Sequence, residues 1–239
     1  MPPVRTAMVL AAGLGKRMRP LTDRLPKPLV PFMGRPLIDH VLDRLVDAGV
    51  EKAVVNVHYR ADQIEQHLAR RTDIEIVFSD ERDLVLDTGG GVLKALPKLG
   101  DGPFFVIASD TVWIETGAPV LSGLADRFDS ERMDMLLLVA DRSRSVGDGG
   151  RGDFLMEPDG RLIRRPADAT APYTYASVLM TTPDFYVDVS SGPFSNNLLF
   201  DRAIDAGRLH GCVLDGTWMH VGTPQSLAAA EDAAAALAG

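Results

Sequence analysis

The sequence predicts an α/β fold with a mixed, mostly parallel central sheet, and two patterns along the chain support it. Short apolar runs rich in Val and Ile recur at 4–10, 53–57, 74–78 and 104–108, with helix-like stretches between them. Strand and helix alternating at this spacing build βαβ units, whose strands lie parallel because each crossover returns the chain to the same edge. From residue 154 onward the runs shorten and follow one another with turns between, the pattern of antiparallel strands added to one side.

The elements follow in order. The run 4–10 ends in Ala11, Ala12 and Gly13, so a strand leads into a loop. Pro36 suits the first turn of a helix, where its missing N–H costs nothing. Ile38, Val41, Leu42 and Leu45 continue at helical spacing, and Gly49 is placed to end it. Strand 53–57, an amphipathic helix over 61–70 through Ile64 and Leu68, and strand 74–78 come next. A short helix over 91–96 and strand 104–108 lead to Ser109 and Asp110. The run 135–140 is another strand, and 147–152 a polar, glycine-rich loop. Strands at 154–156, 162–163 and 173–180 turn at Asp159-Gly160, and Thr223 caps a last helix opened by Pro224. No repeat, linker or change of composition divides the chain, which reads as one domain over 1–239.

Composition narrows the function. The single cysteine, Cys212, excludes an internal disulfide and a cysteine-built zinc site. No apolar run has the length of a signal peptide or a membrane span, so the expected location is the cytoplasm. The formal net charge of −8 argues against nucleic-acid and anionic-membrane partners. Residues 16–27 are the exception. Lys16, Arg17, Arg19, Arg24 and Lys27 face only Asp23, a local charge of +4 that leaves −12 for the rest of the chain. A basic island in an acidic protein suits a small polyanion.

The island lies in the segment LAAGLGKRMRPLTDRLPKP, directly after the first strand. Gly13 and Gly15 let backbone N–H groups approach an anion. A P-loop is excluded, because Leu10 and Arg17 stand where it needs glycine and Ser/Thr. A dinucleotide fingerprint is excluded by Met18 at its last glycine. Pro26 and Pro28 restrict the backbone around Lys27, so the ammonium is aimed at lower entropic cost.

Leu-Ala-Ala-Gly-x-Gly-x-Arg followed by Pro20-Leu21-Thr22 and Pro26-Lys27-Pro28 resembles the signature of the sugar-1-phosphate nucleotidyltransferases. The resemblance runs along nearly the whole chain and implies their Rossmann-like glycosyltransferase-A fold, with a nucleotide-binding half at 1–115 and a sugar-binding half at 116–239. Asp87-Thr88-Gly89-Gly90-Gly91, Lys94-Ala95-Leu96-Pro97, Gly150-Arg151-Gly152-Asp153-Phe154 and Trp218 with Val221-Gly222-Thr223 are most similar to the bacterial N-acetylmuramate 1-phosphate uridylyltransferases.

The resemblance implies roles. Leu10, Ala11, Ala12, Gly13, Gly15 and Lys16 would hold the nucleotide, with Arg17 on the departing β- and γ-phosphates and Lys27 on the α-phosphate. Glu81, Thr88, Gly89 and Gly90 would lie beside the base. Ser109, Asp153 and Arg151 would serve the sugar, Arg151 as a cation for a lactyl carboxylate. Asn196 and Asn197 suit sugar hydroxyls and helix capping equally. Asp110 would bind Mg²⁺, with Mn²⁺ as a substitute. Relatives commonly carry Asp in Trp-x-Asp-x-Gly-Thr where this chain has His220. His220 could ligate the metal, hold a metal-bound water or phosphate, mark weaker Mg²⁺ dependence, or be a structural histidine. The implied partners are a nucleoside triphosphate and a sugar 1-phosphate, on a monomer or homodimer. The implied catalytic group is Arg17, Lys27 and Asp110, with no general base, because a phosphate monoester is already anionic near neutral pH.

Overall fold

Thr6–Leu10 forms β1, which lies between two parallel neighbours and is buried along its centre on both faces. Such a strand needs apolar side chains on both sides, which is why its sequence is a continuous run rather than an alternation. The computed structural model describes residues 3–238. After β1 come a two-residue ladder, β2 (Pro31–Phe32) with β3 (Arg35–Pro36), and α1 (Leu37–Asp47). β4 (Lys52–Val57), α2 (Ala61–Leu68), β5 (Glu75–Asp80), α3 (Asp87–Leu99), β6 (Phe104–Ala108) and β7 (Thr111–Glu115) follow. The second half holds α4 (Val120–Arg127), β8 (Met135–Asp141), β9 (Phe154–Met156), β10 (Leu162–Arg164) and β11 (Tyr173–Thr181). It closes with α5 (Asn197–Asp205), β12 (Leu209–Val213), β13 (Gly216–His220) and α6 (Pro224–Ala238).

Nine of these strands form one sheet, in the order β10-β9-β11-β6-β1-β4-β5, with β8 on β11 and β12 on β8. β5, β4, β1 and β6 are mutually parallel; β11 is antiparallel to β6 and β8, and β12 is parallel to β8. Only β10 and β11 therefore run against the rest, so the sheet is mixed and mostly parallel, as expected.

Alternate residues of β1 feed two cores. Ala7 and Val9 pack with Ile38, Val41 and Leu42 of α1 and Ile64 of α2. Met8 packs with Val92 and Ala95 of α3 and Leu199 and Phe200 of α5. A third cluster gathers Met18, Phe32, Leu37, Met219, Val221 and Leu227 beneath the basic loop.

Several elements differ from expectation. α3 begins at Asp87, four residues before the expected 91, and continues through Pro97 to Leu99. Its glycines have poor helix propensity, and tertiary packing overrides it: a Cβ on Gly89 would lie 2.2 Å from the Phe194 ring, and one on Gly90 2.3 Å from the Gly192 carbonyl. Pro36 stands one residue outside α1, extended and paired with Pro31, so the helix opens at Leu37. α2 stops at Leu68 rather than 70. The ladder of β7 with β13 was not expected, nor were α4, α5 and β12. Thr223 does cap α6: its hydroxyl accepts from the Ser226 N–H at 3.1 Å.

Candidate active site

Register builds the floor of the site. Ala108 of β6 pairs with Leu10 of β1, Leu10 with Asn56 of β4, and Asn56 with Ser79 of β5, so a row of carboxyl-terminal strand ends crosses the sheet. Ligands of open parallel sheets bind at this edge. A cavity of about 420 Å³ opens above it, lined among others by Leu10, Gly13, Glu81, Thr88 and Asp110.

A buried polar network fixes the cavity wall. The Ala11 N–H donates to Asn56 Oδ1 at 2.6 Å, and Asn56 Nδ2 donates to Glu81 Oε1 at 2.8 Å. Glu81 Oε2 accepts from the Leu86 N–H at 3.0 Å, just before α3. Glu81 is fully buried, so its carboxylate organises the loop and the helix entry from beneath. Gly91 is required here, because a Cβ would come within 2.9 Å of both Asn56 Nδ2 and Glu81 Oε1. Asn56 was missed from sequence, although a lone Asn closing the apolar run of β4 was a visible signal.

The basic loop turns at Gly15, whose φ of 62° is left-handed and whose carbonyl accepts from Met18 N–H (2.9 Å) and Thr22 Oγ1 (2.8 Å). Lys16 and Arg17 open the next short 3₁₀ turn and are exposed, with no acidic partner within 4 Å among the described residues. Lys27 begins the third such turn of the loop, after Pro26, and forms an ion pair with Asp110. Gly13, Ser109, Lys27 and Asp110 share a small cavity of about 60 Å³, which sets Ser109 beside the ion pair.

His220 reaches this point through the unexpected ladder. It stands opposite Thr111, the residue after Asp110, and Trp218 Nε1 donates to Thr111 Oγ1 at 3.0 Å. Its ring packs on Gly222, where a Cβ would meet Nε2 at 2.2 Å. Burial, then the charges of Lys27 and Arg17, hold the His220 imidazole below its ordinary pKa. It is therefore neutral near pH 7, amid cations contributed by two other segments.

No group of three or more His, Cys, Asp or Glu side chains that could hold a metal ion occurs among the described residues. Asp110 is the carboxylate at this point that could give one oxygen to a hard cation such as Mg²⁺, which commonly takes the rest of its shell from waters and phosphate oxygens.

The other expected residues divide. Thr88 lines the cavity, while the N–H groups of Gly89 and Gly90 both donate to the Phe194 carbonyl, at 2.9 and 3.1 Å. Asp153 Oδ2 accepts from the Tyr175 N–H at 2.9 Å, beside the irregularity in β11. Arg151 is exposed, with Nη1 3.4 Å from the Ala167 carbonyl. Neither Asp153 nor Arg151 is among the residues lining the cavities described here. Tyr186, which sequence reasoning missed, is fully buried and bonded to Asn196.

A glycine-turned basic loop, a carboxylate at a strand end and a cavity between them define a nucleotidyl-transferring enzyme. The chain belongs to the family described as nucleotidyl transferase, whose pattern matches residues 6–144. It is 47% identical, over 95% of its length and 96% of the relative's, to the N-acetylmuramate alpha-1-phosphate uridylyltransferase of Caulobacter vibrioides. Identity to the enzyme of that name in Neisseria meningitidis serogroup B is 32%, covering 91% of this chain and 93% of that one. Among solved structures, a UDP-glucose pyrophosphorylase complexed with UDP-glucose superposes with a TM-score of 0.78 at 17% identity, covering 98% and 99% of the two chains. That likeness shows the shared fold.

Proposed function

We propose that this enzyme transfers the uridylyl group of UTP to N-acetylmuramate 1-phosphate, releasing pyrophosphate, in the cytoplasm and in the recycling of cell-wall sugar. The convergence of Arg17, Lys27, Asp110 and His220 beside the cavity supports the reaction type. The likeness to the Caulobacter vibrioides enzyme along nearly the whole of both chains supports the substrates. No helix among the described residues is long and apolar enough to cross a membrane.

In this reading the uracil lies against Thr88, Gly89 and Gly90 over Glu81, and the triphosphate follows Leu10, Ala11, Ala12 and Gly13 toward Gly15 and Lys16. Lys27 neutralises the α-phosphate under attack, and Arg17, with no acidic partner among the described residues, takes the departing pyrophosphate. An oxygen of the sugar phosphate attacks in line; it is already anionic, so these residues position and neutralise rather than remove a proton. Asp110 would hold Mg²⁺, which would spread phosphate charge when bound, and His220 would contribute a hydrogen bond to a phosphate oxygen. Ser109 orders the phosphate end through its N–H bond to the Leu10 carbonyl, 3.0 Å. Asp153 braces Tyr175, and Arg151, two residues earlier, is the cation for a substrate carboxylate.

The test is pyrophosphate release from each of four nucleoside triphosphates crossed with several sugar 1-phosphates, with Mg²⁺ and with Mn²⁺. Turnover with UTP and N-acetylmuramate 1-phosphate is expected to exceed every other pair. Turnover only with GTP and mannose 1-phosphate would overturn the substrate assignment.

A further inference from the structure

A second cavity, of about 210 Å³, shares Leu10, Thr88 and Ala108 with the first and is bounded on its far side by Tyr175, Asn196 and Phe200. Tyr175 and Phe200 meet edge to face at 5.3 Å, a stiff apolar wall. Asn196 is 4% exposed. Its N–H donates to Thr88 Oγ1 at 2.9 Å, and its carbonyl accepts from Leu199 and Phe200 N–H at 3.0 and 2.9 Å. Its Oδ1 accepts from the Tyr186 hydroxyl at 3.0 Å.

Tyr186 is wholly buried, and burial, with Tyr175 beside it, pushes its phenol well above the ordinary value. It stays protonated and donates. With Oδ1 bonded to that phenol, Nδ2 has no partner among the described residues. Nδ2 is not closed off from the cavity that Asn196 lines, where a ligand oxygen can accept from it.

We propose that Asn196 is the sugar-recognising residue, its amide donating to an acceptor oxygen on the sugar ring, and that Tyr186 is the positioning residue that aims it. This rests on the sugar 1-phosphate reading above. The aromatic wall receives the C–H face of the ring. The Thr88 bond ties the sugar side to the first turn of α3, so Asn196 also spans the two substrates.

Asn196→Asp keeps the acceptor for Tyr186 and removes the donor; Tyr186→Phe removes one hydroxyl and leaves the ring packed near Phe104, 6.5 Å away. With UTP and N-acetylmuramate 1-phosphate as probes, Asn196→Asp should raise KM for the sugar phosphate about tenfold and Tyr186→Phe about threefold. KM for UTP should stay near wild type, and the loss of sugar affinity should persist at temperatures well below each variant's unfolding midpoint. An unmoved sugar KM in either variant, or a rise shared by UTP, overturns the proposal. A wild-type chain that releases no pyrophosphate with this or any other sugar 1-phosphate overturns the reaction itself. Active wild type with unmoved variants overturns only the roles of Asn196 and Tyr186.

Discussion

Lys27 and Asp110 form an ion pair that joins the basic loop to the end of β6, although 83 residues separate them in sequence. Lys27 is aimed by its flanking prolines and Asp110 by the strand end, so the pair is a consequence of the scaffold. Both side chains keep some exposure, 14% and 29%, and breaking the pair should cost stability by only about 1 kcal/mol. Turnover should fall far more. Lys27→Ala and Asp110→Asn are each expected to lose two or more orders of magnitude in pyrophosphate release with an unchanged circular dichroism spectrum. Near-normal turnover in either variant would remove that residue from the mechanism.

Gly89→Ala should destabilise the fold by about 1–3 kcal/mol, the usual range for overpacking. Its methyl would enter the Phe194 ring at 2.2 Å. Denaturant unfolding measures this directly, and a stability equal to wild type would show that the loop carrying Phe194 yields freely.

Glu81→Gln puts an NH₂ group against one of two donors, Asn56 Nδ2 or the Leu86 N–H. One buried bond is lost and a donor is left unpaired, a cost of about 1–3 kcal/mol. Because the network also anchors the Ala11 N–H, KM for the nucleotide should rise along with the loss of stability. Isothermal titration with UTP and a thermal melt would show whether the two effects travel together.

His220→Asp places a carboxylate where the sequence resemblance implies one. The concentration of Mg²⁺ for half-maximal activity should drop severalfold, because Mg²⁺ prefers oxygen to imidazole. A metal titration of the two proteins decides it; an unchanged or higher requirement would place His220 outside the metal's surroundings.

Alkaline pH should weaken the fold. Burial raises the Cys212 thiol and the Tyr175 and Tyr186 phenols above their ordinary values. The folded chain therefore binds protons that the unfolded chain gives up, so their contribution is complete below about pH 9 and is lost as pH climbs past it. Thermal melts from pH 7 to 10.5 should show a falling midpoint, with tyrosinate absorbance from the fully buried Tyr186 appearing only on unfolding.

Sequence reading recovered the parallel half of the sheet because buried parallel strands are continuous apolar runs, as in 53–57 and 104–108. It shortened α3 because three successive glycines read as a turn, whereas Phe194 and Glu81 pack where their side chains would be. It missed β7 and β13, whose mixed residues carry no periodicity; only their pairing makes them strands. The phosphate loop was legible because its chemistry is contiguous. Asn56, Tyr186 and the position of Asn196 were not, since each acts through a partner distant in sequence.

The β7–β13 ladder gives the site an order of assembly. Asp110 and the basic loop are made early, but His220 and the apolar floor under Met18 arrive with β13 and α6. A nascent chain still short of residue 216 would hold the cavity for a nucleotide without the lower half of its phosphate end. The enzyme therefore becomes competent only once β13 has paired with β7, and a copy without that ladder has little means of spending nucleotide.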